Sequence, residues 1–275
     1  MSLPNKTQLL PDRPGIPPMA VLPEAETIDT EALARAYADG DIDLVCVLGP
    51  TASGKTRYTV QLARALGNAE ILSADSRQVY CGMDIGTGKD LGEYGNVPYH
   101  LIDIVPAGTK FNIYEYQAAF AKAWADVRSR GRIPILCGGS GLYIEAATRA
   151  YKFDKENGVP ASELPQKVFY IGTLVTREER VARIDRRLDE RLEEGLVEEV
   201  KGLLDSGIPA ENLLWYGLEY KLVTQFILGE ISYEEMRILL ANAIHQFAKR
   251  QMTFFRGMEA KGDRIHWVHP FDFCK

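Results

Sequence analysis

The sequence predicts an α/β fold: a P-loop NTPase-like parallel sheet flanked by helices, with a helical C-terminal portion. Three observations carry that prediction. From Ile42 onward, short β-rich runs alternate with longer stretches of helical period, as βαβ units do. The first run ends in Gly49-Pro50-Thr51-Ala52-Ser53-Gly54-Lys55-Thr56, which fits the phosphate-wrapping pattern G-x-x-x-x-G-K-[ST]. After Thr176 the strand signals nearly stop and charged helical stretches take over.

Taken in order, residues 1–40 carry Pro4, Pro11, Pro14, Pro17, Pro18 and Pro23, which break regular elements and leave only 29–38 weakly helical. This stretch reads as an irregular extension, and it lacks the basic and apolar regions of a secretory signal. Residues 41–275 read as one domain. Residues 43–48 form a continuous apolar run ending in glycine, the mark of a strand buried on both faces. Further strands are expected at 70–73, 99–104, 133–137 and 167–174, with a short last one at 264–268. Helices are expected at 55–66, 113–130 and 140–149. Thr176 and Glu179 form a capping box that opens a long charged helix, with others near 196–206, 218–228 and 232–257, so that the helical part spans about 176–257.

The chain has 275 residues, enough to bury a conventional core without metals or disulfides. It contains 46% hydrophobic and 25% charged residues, which excludes collagen-like, coiled-coil and wholly disordered readings. No run of about 18 apolar residues is present, so no transmembrane span is expected. Cys46, Cys81, Cys137 and Cys274 lie far apart and suggest neither a zinc site nor a disulfide framework, so a reducing cytoplasm is expected. The net charge of −6 gives no sign of bulk attraction to nucleic acid, although a local basic face stays possible.

The phosphate loop is the sharpest chemical signal. Its glycines let backbone N–H groups converge on an anion at a helix N-terminus, Lys55 adds a charge and the Thr56 hydroxyl can hold Mg²⁺. The motif specifies a diphosphate or triphosphate without saying which. Asp75 lies just beyond the second strand, which is expected to neighbour the loop, and reads as a metal-shell acid, a general base or a turn residue. Asp103 reads equally as a Walker B acid or a turn residue. Gly138-Gly139-Ser140-Gly141 forms a second strand-to-helix glycine turn, where Ser140 can donate to a phosphate. Arg183, Arg187 and Arg191 recur at i, i+4 and i+8, so like charges repel on one helix face unless an anion joins them, the alternative being a solvated face. Lys249, Arg250 and Arg256 alternate with Phe247, Phe254 and Phe255, a pattern shared by nucleic-acid faces and by helices that pack their Phe side inward. His245, His266 and His269 share no metal-ligand spacing.

In order, these segments resemble the tRNA dimethylallyltransferase (isopentenyltransferase) family: residues 49–56, Ser73-Ala-Asp-Ser-Arg-Gln-Val-Tyr80, Gly82-Met-Asp-Ile-Gly-Thr87, His100-Leu-Ile-Asp-Ile104, Gly138-Gly-Ser-Gly-Leu-Tyr143 and Ala248-Lys-Arg-Gln251. The resemblance runs from about residue 43 to 257. It implies transfer of a dimethylallyl group from dimethylallyl diphosphate to the exocyclic amine of an adenine in tRNA. By the same resemblance Gly49, Thr51, Ala52, Ser53, Gly54, Lys55, Thr56, Ser140 and Arg187 hold the diphosphate, and Thr56 and Asp75 serve Mg²⁺. Asp75 is the implied general base, with Thr56 and Arg187 as its catalytic companions. Ser76, Gln78, Lys249, Arg250 and Gln251 are the implied acceptor contacts.

The chain departs from the family pattern in three places. Only residues 152–166 or so stand where the family has a helical insertion that grips tRNA, Ile244-His245-Gln246 replaces a Thr-Arg-Gln, and Ser140 replaces a threonine. The shortened interval leaves a free adenine nucleotide such as AMP open as the acceptor. An ATP-binding small-molecule kinase and a P-loop binding protein without turnover are the other readings.

Overall fold

The structure, a computed structural model, describes residues 22–149 and 159–271. In chain order it contains α1 (Thr30–Ala38), β1 (Leu44–Leu48), α2 (Lys55–Leu66), β2 (Ala69–Ser73), β3 (Tyr80–Cys81), β4 (Tyr99–His100), β5 (Val105–Pro106), α3 (Ile113–Ser129), β6 (Ile133–Gly138), α4 (Gly141–Thr148), β7 (Val168–Thr173), α5 (Arg177–Glu193), α6 (Leu196–Asp205), α7 (Ala210–Tyr216), α8 (Leu218–Ile227), α9 (Tyr233–Ala260) and β8 (Ile265–Val268). The main sheet is ordered β4-β2-β6-β1-β7-β8 and every pairing in it is parallel.

β1 lies inside the sheet, with its side chains alternating between two cores. Leu44, Cys46 and Leu48 enter the larger core with α3, α4 and the C-terminal helices, whereas Val45 and Val47 face the smaller one beneath α1 and α2. Both faces are dry, which is why the strand reads as an unbroken apolar run. The capping box at Thr176 and Glu179 is present, and similar boxes open α3 at Asn112 and α9 at Ser232.

Three sequence expectations are corrected. The strand expected at 99–104 stops at His100, because Leu101 and Asp103 turn through positive φ (65° and 55°). The chain then pairs as β5 with β3 in a separate two-stranded sheet. Second, β2 does not neighbour β1: β6 lies between them. Third, α7 was not expected, although Pro209 immediately before a short apolar stretch is a usable helix-start signal. Residues 1–21, and with them most of the proline-rich extension, lie outside the described residues, as do Cys274 and residues 150–158 of the shortened interval. Glu26 N–H donates to Trp267 O at 2.7 Å, so the chain ahead of α1 runs beside β8.

Candidate active site

The loops after β1, β2 and β6 meet at the carboxyl end of the sheet, where ligands of such sheets bind. In the phosphate loop, Ala52 and Gly54 take positive φ (59° and 81°), bending the chain so that α2 begins with no side-chain cap. The first N–H groups of α2 are therefore open to an anion. Ser53 is fully buried. Its hydroxyl meets Thr173 Oγ1 at 2.7 Å, and its N–H donates to Pro50 O at 3.3 Å. A Cβ on Gly49 would collide with that Thr173 hydroxyl, so glycine is required there.

Gln251 links three elements. Its Oε1 accepts from the Thr51 N–H at 2.8 Å and its Nε2 donates to Gly139 O at 2.9 Å, and the side chain is buried. Sequence reasoning grouped Gln251 with the acceptor contacts. The structure instead makes it a brace that ties α9 to the phosphate loop and to the second glycine turn, and it occupies the Thr51 amide from within. Gln78 differs from expectation in the same way: it is buried, accepting from Ser73 Oγ at 2.9 Å and donating to Gly88 O at 3.2 Å. Lys249 and Arg250 are exposed on α9, and Arg250 rests over Phe247.

The turn after β2 is fixed locally. Ala74 N–H donates to Cys137 O at 2.7 Å, and a Cβ on Gly138 would strike the Ala74 carbonyl, so the glycine lets the β2 and β6 turns close on each other. Ser140 Oγ accepts from Ser76 N–H at 3.0 Å and faces Ser76 Oγ at 3.2 Å. Asp75 Oδ1 accepts from Arg77 N–H at 2.9 Å, which orients the carboxylate and leaves its second oxygen available. Asp103 is not part of this turn: its carboxylate is committed to Lys89, which is almost fully buried and also donates to Tyr80 O and Asp84.

Burial lowers the pKa of Lys55, with Cys137 and then Asp75 opposing that shift and Arg187 and Arg191 reinforcing it. A shallow cleft, open to solvent, lies beside the loop and is lined by Thr51, Ala52, Ile184, Leu188 and Ile244, with Arg187, Arg191 and Glu219 as its charged wall. Arg187 pairs with Asp90, and Arg191 lies 3.9 Å from Glu219. Burial pushes the Glu219 carboxyl up, while Arg191 beside it pulls the other way. The arginine repeat is thus split, since Arg183 lies over the ring of Phe271, 4.3 Å from its centroid. Sequence reasoning missed Asp90, Glu219 and Thr173. Each joins the site from a distant element, and no local pattern marks it.

For a divalent cation, the oxygen donors are the Thr56 hydroxyl at the start of α2 and the unbonded oxygen of Asp75. Among the described residues no group of three or more His, Cys, Asp or Glu could hold a metal.

The IPP transferase family profile matches residues 78–166 and 149–258. The tRNA dimethylallyltransferase 2 of Porphyromonas gingivalis is 45% identical, with 82% of this chain and 93% of that protein covered, and its namesake from Syntrophotalea carbinolica is 44% identical over 82% and 94%. Among solved structures, the tRNA isopentenylpyrophosphate transferase of Bacillus halodurans superposes with a TM-score of 0.71 at 30% identity, covering 82% of this chain and 89% of that one. That of Staphylococcus epidermidis gives 0.71 at 29%, covering 82% and 93%. The P. gingivalis alignment spans 282 positions, whereas 82% of 275 residues is about 226, so about 56 aligned positions have no residue here. The two stretches of the family match overlap at residues 149–166, between α4 and β7. With the parallel sheet, the phosphate loop and these matches together, the chain belongs to the IPP transferase family.

Proposed function

We propose that this chain transfers a dimethylallyl group from dimethylallyl diphosphate to the exocyclic amine of an adenine in tRNA. The observation that carries this reading is Asp75, held by the Arg77 N–H with one carboxylate oxygen free, on a turn that Ser76 ties to Ser140 beside the glycine turn that Gln251 joins to the phosphate loop. A phosphate-binding loop alone would serve a kinase equally well. An oriented carboxylate on a turn tied to that loop suits a proton-bearing nucleophile, and the apolar side chains lining the cleft beside the loop suit an allylic donor.

In the reaction the allylic C–O bond breaks and its electron pair leaves with the diphosphate. The amine lone pair forms the new C–N bond, and the amine proton passes to Asp75. The open N–H groups of α2, Lys55 and Arg187 oppose the charge that grows on the leaving diphosphate. Ile184, Leu188 and Ile244 give the hydrocarbon tail an apolar wall. Mg²⁺ would be held by Thr56 together with diphosphate oxygens and water and would supply further neutralisation of diphosphate charge, which leaves the free oxygen of Asp75 for the proton. No helix among the described residues is long and apolar enough to cross a membrane, and a cytoplasmic setting goes with an acceptor such as tRNA.

A second reading, transfer to free AMP, is favoured by the gap of about 56 positions relative to the P. gingivalis protein. Radiolabelled dimethylallyl diphosphate offered with Mg²⁺ to unmodified tRNA and to AMP, ADP and ATP in parallel separates the two. Label in tRNA is the expected result. Label only in a nucleotide moves the acceptor to the small-molecule class, and label in none of them refutes prenyl transfer.

A further inference from the structure

Beside Asp75 the backbone continues into Arg77, whose guanidinium lies 5.8 Å from the ring centroid of Trp215 and 5.7 Å from that of Tyr216. Lys110 reaches the same indole from the loop between β5 and α3, 5.9 Å from its centroid. That loop is tied down. Gly108 N–H donates to Tyr216 Oη at 2.8 Å, Tyr216 Oη donates to Thr109 O at 2.8 Å and Asn212 Nδ2 donates to Gly108 O at 2.8 Å. Tyr216 is itself buried and packs on Tyr80, with ring centroids 4.6 Å apart.

The outcome is a supported ring that faces outward. Leu213 and Tyr216 fill the core beneath α7, while Trp215 stays 51% exposed with the Arg77 and Lys110 cations 5.8 and 5.9 Å from its ring centroid. Among the described residues neither Arg77 nor Lys110 forms an ion pair. Two cations outside any ion pair beside an exposed indole make a local basic face in a chain whose net charge is −6. Phosphates beside a flat base complement it: the base stacks on the ring and the flanking phosphates meet the cations.

We propose that Trp215, with Arg77 and Lys110, stacks a base that neighbours the target adenine in an RNA acceptor. This rests on the function proposed above and extends it, because the turn carrying Arg77 also carries the oriented carboxylate of Asp75. It gives a chain that lacks about 56 positions of its relative a contact to RNA outside the missing segment.

The test compares wild type, Trp215→Ala and Trp215→Phe, with dimethylallyl transfer measured on unmodified tRNA and on AMP. Trp215→Ala should raise KM for tRNA on the order of ten-fold, the scale of one lost base–aromatic stack, and Trp215→Phe should recover most of it. The donor dissociation constant should stay within about two-fold, as the indole lies away from the phosphate loop. Unchanged KM for tRNA in Trp215→Ala overturns the proposal. An equal loss on AMP also overturns it, since it places the indole on the target base instead of a neighbour. If no acceptor takes label, the proposed function fails separately, and binding of an anticodon-stem hairpin then decides: about ten-fold weaker binding by Trp215→Ala upholds the platform, and equal binding removes it.

Discussion

At the diphosphate end of the cleft the polar groups are tied inward: Ser53 to Thr173, Thr51 and Gly139 to Gln251, and Arg187 to Asp90. Around the Asp75 turn, where the acceptor is proposed to bind, Ser76 and Arg77 are only part-buried and Trp215 and Lys110 are exposed. The difference follows from what each end must recognise. A diphosphate is small and always the same, so a fixed backbone cradle with braced surroundings suits it. A nucleic acid is large and makes its contacts through side chains that reach outward from several elements.

Substitutions can break or sharpen that contrast. Lys55→Ala should have the largest effect on the donor, about 10³-fold in kcat/KM, because it removes a charge aimed at the leaving group. A loss below ten-fold would mean that the loop amides and arginines carry the anion without it. Gln251→Ala strips partners from the Thr51 N–H and the Gly139 carbonyl, and should cost roughly 2 kcal/mol in urea unfolding and raise the donor KM. Lower stability with normal donor binding would make the brace purely structural. Arg187→Ala should weaken donor binding about ten-fold, measured by titration with inorganic diphosphate, and barely change KM for the acceptor. Unchanged affinity and rate would remove Arg187 from the diphosphate end.

The smallest effect concerns neither end. Glu70, buried at the start of β2, accepts from Arg130 and meets His100 at 2.7 Å. The Arg130 hydrogen bond, aided by His100, holds its carboxyl below the usual carboxylate range against the burial that pushes it up. A depressed carboxyl contributes stability above its ordinary value near 4.3, and that contribution is lost as pH falls through the lower folded value. Thermal unfolding of Glu70→Gln should therefore lose less stability on acidification below about pH 4 than wild type, with prenyl transfer at neutral pH unaffected.

The same contrast explains what could be read in the sequence. The phosphate loop, its strand and its helix are encoded by contiguous glycines and an apolar run, and the structure gives the helix at Lys55–Leu66. Capping residues likewise set the starts of α5 and α9, because a cap is a contact within four residues. What stayed hidden depends on residues far apart in the chain. Gln251 acts on Thr51 across 200 positions, and its carboxamide looks the same in sequence whether it meets a ligand or a backbone. Thr173 behind Ser53, Glu219 beside Arg191 and Trp215 beside Arg77 are of the same kind. The break after His100 was hidden because Leu101 and Asp103 adopt positive φ without glycine, held by bonds such as Asp103 N–H to Gln78 O at 3.0 Å.

The proposed reaction divides donor binding and proton removal between separate residues, the phosphate loop with Arg187 and the carboxylate of Asp75. Asp75→Asn tests it most directly, with dimethylallyl transfer to tRNA in single turnover measured alongside the affinity for dimethylallyl diphosphate. The account predicts a rate loss of about 10²- to 10⁴-fold with donor affinity within a few-fold of wild type. An equal loss of both would show that Asp75 organises the diphosphate and its cation instead, and an unchanged rate would show that another group takes the proton.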